Sequence, residues 1–260
     1  MTTIDNFESL KFRFFRNLGL EMRNALKMHK SEGLWDRVNG TRDFGNVTEH
    51  CLVEAARVDI LAEFLCLPDD IKRDLKIAAT LHDFFKKKEK EIVTANGLSW
   101  ESFDISNIKA TEALRKGGFS ERVIRLVNSV GHGSLIETEE ILGKSLLSFE
   151  DIAFLIMHYV DDYTSGSEWV PQFDINTGKS ALDLRMDKNE ANIRYHQLNE
   201  DGKSHFNGET TFQAQRRIGN LVEEKLSTII SDLIHYSVAR MLLSQIVDRN
   251  IRVKIDHRAI

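Results

Sequence analysis

Apolar residues recur at steps of three and four along most of the chain, and strand-like alternation is nearly absent, a pattern that predicts helices. Residues 4–30 place Phe7, Leu10, Phe14, Leu18, Met22, Ala25 and Leu26 on one stripe, with Lys11, Arg16, Arg23 and Lys27 elsewhere. That stripe is no wider than a core contact requires, so an amphipathic helix packed on a core is expected rather than one lying on a membrane. A second helix starts near Asn46 or Thr48 and runs to about Leu65, where "LPDD" supplies a stop and a new cap. The third is predicted from about Asp70 to Lys88. Shorter helices follow at 106–116, ended by Gly117 and Gly118, and at 120–130, capped by Ser120 and ended by Gly131. "SFED" at 148–151 has the form of a capping box, and "IAFLIMHYV" behind it is apolar all round, which puts that helix at the centre of a bundle. Residues 165–208, rich in Gly, Asn, Asp and Ser, have weak periodicity and read as a loop or insertion with one short helix near 187–196. Strong periodicity returns over 210–248 as one long helix or two.

Composition narrows the class. Two prolines, Pro68 and Pro171, interrupt 260 residues that are 42% hydrophobic and 29% charged, as expected of one all-α domain. Its parts are an extra N-terminal helix, a core over about 40–165, the insertion at 165–208 and a C-terminal helical extension over about 209–250. Cys51 and Cys66 form no CxxC pair, so neither a disulfide framework nor a cysteine zinc site is expected, and a reducing cytoplasm is the expected location. The opening "MTTIDNFESLKFRFFRNLG" lacks the apolar run of a secretory signal, and no stretch approaches the roughly 18 consecutive apolar residues of a membrane span. A net charge of -5 and a pI near 6.0 give no argument for nucleic-acid binding. The apolar stripe of the C-terminal helix offers a surface to a second copy, so a homo-oligomer through that helix is an expectation.

Three places carry candidate chemistry. His50 lies early in helix two within "NVTEHCLVEAA", His82 and Asp83 lie late in helix three within "LHDFFK", and Asp161 and Asp162 close the apolar helix within "HYVDDYT". A carboxylate after nine apolar residues is costly to bury unless a cation or hydrogen bonds receive it. Neighbouring helical residues diverge by about 100°, so only one of Asp161 and Asp162 faces inward with a given geometry. Two imidazoles and two carboxylates suit one divalent ion among Mn, Fe, Co, Ni, Mg and Zn. Lys86 follows Asp83 by three positions, and on a continuing helix it projects from nearly the same face, where its ammonium can meet an anion. Lys87, Lys88 and Lys90 read as a solvated face. His132, in "VGHGS", follows a helix stop between glycines that leave it accessible, to donate a proton or to bind an anion. His158 reads as a core histidine bonded to backbone or to a ligand carboxylate. His29, His196, His205, His235 and His257 read as ordinary helical histidines, and Arg42 is a further candidate anion contact.

The ordered set His50, His82–Asp83 and a closing aspartate resembles the signature of the HD-domain superfamily of metal-dependent phosphohydrolases, over about residues 40–165. The resemblance implies an HD-domain-like helical bundle in which His50, His82, Asp83 and Asp161 hold one divalent ion, because Asp161 takes the family's closing position. Asp162 is then left to orient water. It further implies cleavage of a phosphoester of a small phosphorylated substrate, a nucleotide above all, by metal-activated water. His132 resembles an additional histidine that some members carry between the pair and the last aspartate. Some nucleotidases of the superfamily place a glutamate soon after the pair, where this chain has Phe84, Phe85 and Lys86, with Glu89 further on. Di-iron members use extra histidines in the same interval, and only His132 and His158 are available here, which favours one ion. The alternatives are an HD-type di-iron oxygenase and a non-catalytic ligand-sensing domain. The segment 165–208 follows the closing aspartate and is expected to fold over the site as a specificity lid, with Trp169, Arg185 and Arg194 as its candidates for base stacking or phosphate contact.

Overall fold

A computed structural model describes residues 19–34, 47–165, 168–169, 173–174 and 177–231. The first part of the predicted N-terminal helix, Arg42, and the chain after Ser231 with His235 and His257 lie outside the described residues. Within them the protein is all-α, with eleven α-helices. These are α1 (Leu20–Ser31), α2 (Val47–Phe64), α3 (Asp69–Leu81), α4 (Lys86–Asn96), α5 (Trp100–Lys116), α6 (Glu121–Val127), α7 (Leu135–Leu142), α8 (Phe149–Asp162), α9 (Ala181–Glu190), α10 (His196–Asp201) and α11 (Thr211–Ser231). Two short antiparallel ladders, Thr164–Ser165 with Glu168–Trp169 and Phe173–Asp174 with Lys179–Ser180, sit between α8 and α9.

The helices end where local chemistry stops them. The Ser148 hydroxyl accepts from the Asp151 amide while the Asp151 carboxylate accepts from the Ser148 amide, so the predicted capping box opens α8. From Ala153 to Asp162 every residue of α8 is buried, as its all-round apolar character requires. α2, α3, α6, α7 and α11 all pack against it. α2 is likewise buried on nearly all sides from Cys51 to Val58. The Ser120 hydroxyl caps α6 by accepting from the Val123 amide.

Two expectations are corrected. The third predicted helix does not run to Lys88: α3 ends at Leu81, residues 82–85 turn, and α4 starts at Lys86. The physical reason is the pair Phe84 and Phe85, which are 0% and 8% exposed. Adjacent side chains on one helix diverge by about 100°, so the chain turns to bury both rings. The segment 165–208 is not a loop with one short helix. It contains α9 and α10, with single 3₁₀ turns at Ile193–Tyr195 and Gly202–Ser204. Ser180 and Asp183 cap α9 reciprocally, and Leu182, Met186, Leu198 and Phe206 fix the segment to the core. Tight backbone approach completes the packing, since a Cβ on Gly202 would lie 2.1 Å from the Thr211 amide nitrogen.

Candidate metal centre

Three helices bring the candidate ligands to one point. His50 projects from the first half of α2, His82 is the residue at which α3 stops, Asp83 lies in the turn behind it, and Asp161 lies in the last turn of α8. The two imidazole Nε2 atoms are 3.3 Å apart. Asp161 Oδ1 is 3.8 Å from His82 Nε2, and Asp83 Oδ2 lies 3.9 Å and 4.0 Å from the Nε2 atoms of His50 and His82.

A fifth side chain, Glu54, sits where the sequence reading placed no ligand. It is one turn after His50 on α2, 0% exposed, with Oε1 3.0 Å from His50 Nε2 and Oε2 3.4 Å from His82 Nε2. Donor atoms of His50, Glu54, His82 and Asp161 all lie within 4.8 Å of one another, and this cluster could hold a metal ion. Ligands about 2.1 Å from one ion stand roughly 3.0 Å apart at right angles and roughly 3.4 Å apart in a tetrahedron, so the shorter separations match a single coordination sphere. Asp83 stands at its margin.

Protons and charges fit the same reading. His82 Nδ1 donates to the Ala79 carbonyl at 2.8 Å, which leaves the Nε2 lone pair aimed into the cluster, as the outer partner of a metal-bound histidine does. Neither oxygen of Glu54 has a hydrogen bond of acceptable geometry. Burial, with Asp161 and Asp83 nearby, pushes the Glu54 carboxyl well above its ordinary range. A divalent cation is what would reverse that penalty.

His50, His82, Asp83 and Asp161 line a cavity of about 870 Å³, with Glu54 buried behind them. Lys86 lines it, with Nζ 3.4 Å from Asp83 Oδ1 and 3.1 Å from Glu89 Oε1. It meets Asp83 across the turn and not along a continuing helix, and its side chain remains 43% exposed to the cavity mouth. Burial opposes ionisation of Asp83, but Lys86, His82 and His50 outweigh it and hold the carboxyl well below the usual range. Asp83 and Glu89 in turn push the Lys86 ammonium up.

His132 also lines the cavity, at the 3₁₀ turn before α7, but its flanking glycines do not leave it free. Its ring is half-buried, edge-on to Phe103 and Phe212, and its Nδ1 is buried. Burial, then Arg185 and Lys86, lower its pKa to about 4, so it is a neutral imidazole at neutral pH and not a ready proton donor. Asp162 is turned away from the ligands: Oδ1 accepts from Gln215 Nε2 at 2.8 Å and Oδ2 faces His158 Nε2 at 3.4 Å, so it does not stand free to orient water. His158 bonds the Ser129 carbonyl, as expected of a core histidine, and its carboxylate neighbour is Asp162 and not the candidate ligand Asp161. His29 is a satisfied core histidine, contacting Thr48 Oγ1 and the Thr80 carbonyl.

From the 165–208 segment, Arg185 reaches the cavity and donates to the Asp161 carbonyl at 3.0 Å. Arg194 is exposed and outside the lining, and the Trp169 side chain lies outside the described residues. Leu184, Lys188, Asn189, Asn192 and Tyr195 complete that wall, while Leu98, Phe103, Val127 and Val130 supply an apolar wall from the turn after α4 through the turn after α6.

Fold and site together define an all-helical protein with a candidate histidine–carboxylate metal centre at the wall of a cavity. No family model, curated protein or solved structure matches this chain. The HD-domain resemblance therefore rests on its ordered ligands and their helical setting.

Proposed function

We propose that this protein is a metal-dependent phosphohydrolase of the HD-domain type, acting on a small phosphorylated compound, a nucleotide above all. The observation that carries the reading is the convergence of His50, Glu54, His82 and Asp161 on one point beside a cavity large enough for such a compound. When bound there, a divalent ion supplies an acidified water and neutralises phosphate charge. Lys86 lines the cavity four residues after His82 and pairs with Asp83, and its ammonium receives a non-bridging phosphate oxygen. Arg185 stays charged despite burial, because Asp161, Asp162, Glu54 and Asp83 outweigh the cost, and it steadies the backbone at the end of α8. The apolar wall around Phe103 excludes water and receives the uncharged part of the substrate.

A single ion is favoured over the di-iron alternative, because among the described residues only one group of three or more ligand side chains converges. The test is a phosphate-release screen over nucleotides and other phosphoesters with each divalent ion. Release by the native chain that is lost in Asp161→Ala supports the reading; a metal-loaded protein that releases no phosphate from any of them overturns it.

A further inference from the structure

A chain of buried polar atoms runs from the core to the cavity, and four of them have no hydrogen bond of ordinary geometry: His158 Nε2, Asp162 Oδ2, Gln215 Oε1 and His132 Nδ1. Their neighbours fix where the protons sit. His158 Nδ1 lies 3.1 Å from the Ser129 carbonyl, which can only accept, so Nδ1 carries a hydrogen. Ser134 Oγ, 3.4 Å from the same nitrogen, gives its own hydrogen to the Gly131 carbonyl and is a second acceptor. His158 Nε2 then faces Asp162 Oδ2. Whichever of the two holds a proton there, it lies between those atoms, and Asp162 Oδ1 is left an acceptor. Gln215 donates to that oxygen at 2.8 Å, so the amide orientation follows from the network. Its Oε1 is buried and can only accept.

Gln215 lies one turn after Phe212 on α11, the ring of Phe212 meets His132, and Gln215 and His132 both line the cavity. Of the two ring nitrogens of His132 only Nδ1 is among the buried unpartnered atoms, and Phe103 and Phe212, at 5.6 Å and 5.7 Å between ring centres, hold the ring plane. We propose that Gln215 is a positioning residue whose Oε1 accepts from His132 Nδ1–H, which leaves the Nε2 lone pair facing the cavity as a proton acceptor. The tautomer holds whatever the reaction; only its use, as a base toward water or a protonated phosphate, rests on the hydrolase reading.

The test is a long-range ¹H–¹⁵N spectrum of the full chain labelled with ¹⁵N-histidine at neutral pH, with His132 assigned by loss of its signals in His132→Asn. The wild-type ring is expected to show a protonated Nδ1 and an unprotonated Nε2. Gln215→Leu is expected to move the ring toward the opposite tautomer, and Gln215→Glu, which keeps the acceptor, to restore the first. An Nε2-protonated ring in the wild type overturns the proposal even if neither variant folds, and so does an unchanged ring in Gln215→Leu. The spectrum needs no turnover, so failure of the hydrolase reading leaves this result standing.

Discussion

Replacing Glu54 by glutamine separates a metal ligand from a buried structural acid. Glu54 is fully buried, close to Asp83 and Asp161, and burial with those neighbouring carboxylates pushes its carboxyl well above its ordinary range. A carboxyl raised in the folded state binds its proton more tightly folded than unfolded. Its cost to stability is therefore absent at low pH and grows as pH rises through the unfolded value toward the folded one. The neutral amide carries no such cost, so in chelator Glu54→Gln should melt at least as high as the native chain, with an advantage that widens from pH 5 to pH 8. With metal the order reverses. At a free ion concentration of about 100 times Kd, the native chain gains about 2.7 kcal/mol, or about 5–10 °C at about 2–4 °C per kcal/mol for a chain of this size. Loss of a ligand should cost at least the roughly 10–100-fold in affinity that loss of an outer partner costs. At the 100-fold end the same ion concentration equals Kd, and the gain falls to about 0.4 kcal/mol, or about 1 °C. The assay is thermal unfolding in chelator and across a divalent-ion series. A variant less stable in chelator that keeps the full metal-dependent gain would refute the reasoning.

Further outcomes follow from other sites. Burial lowers the His29 pKa from 6.5 to about 4, so the unfolded chain binds its proton first; stability is full above pH 6.5 and falls by about 3 kcal/mol on acidification to pH 4. Urea unfolding of His29→Gln should show a shallower acid decline, and an identical decline would remove His29 as its source. Gly219 lies where α11 crosses α8 and α9, and a Cβ there would meet Leu182 Cδ2 at 2.4 Å and Asp162 Oδ2 at 3.0 Å. Gly219→Ala should cost about 1–3 kcal/mol, and Leu182→Ala should add less in that background than in the native one, as a double-mutant cycle in urea would show. Lys86→Ala should lower kcat/KM for phosphate release by roughly 10–100-fold, the worth of one charge-assisted hydrogen bond of about 1.5–3 kcal/mol, with urea unfolding of the same variant showing that it remains folded.

How far these features were legible in the sequence depends on what each residue does locally. The apolar run 152–160 and the Ser148–Asp151 pair specify α8 by local means, and α8 is where they place it. The ordered His50, His82, Asp83 and Asp161 were legible as types and spacings, and the helices bring all four together. Glu54 was not, because an acid between Val53 and Ala55 reads as one polar position in an apolar helix. The available signal was its place one turn after His50, a spacing that puts both on one face. The break before Lys86 depends on burying Phe84 and Phe85 together, a tertiary demand that helical periodicity conceals. Gln215 was equally hidden, since Asp162, to which it donates, is far away in sequence and only the packing of α11 on α8 joins them.

The central claim is that His50, Glu54, His82 and Asp161 hold one divalent ion. Elemental analysis of the purified chain, after incubation with divalent ions and exhaustive dialysis, tests it most directly, alongside His82→Ala and Asp161→Ala variants that remain folded. The account predicts about one ion per native chain and loss of that ion in both variants. A native chain that retains no ion, or folded variants that retain as much as the native chain, would contradict it.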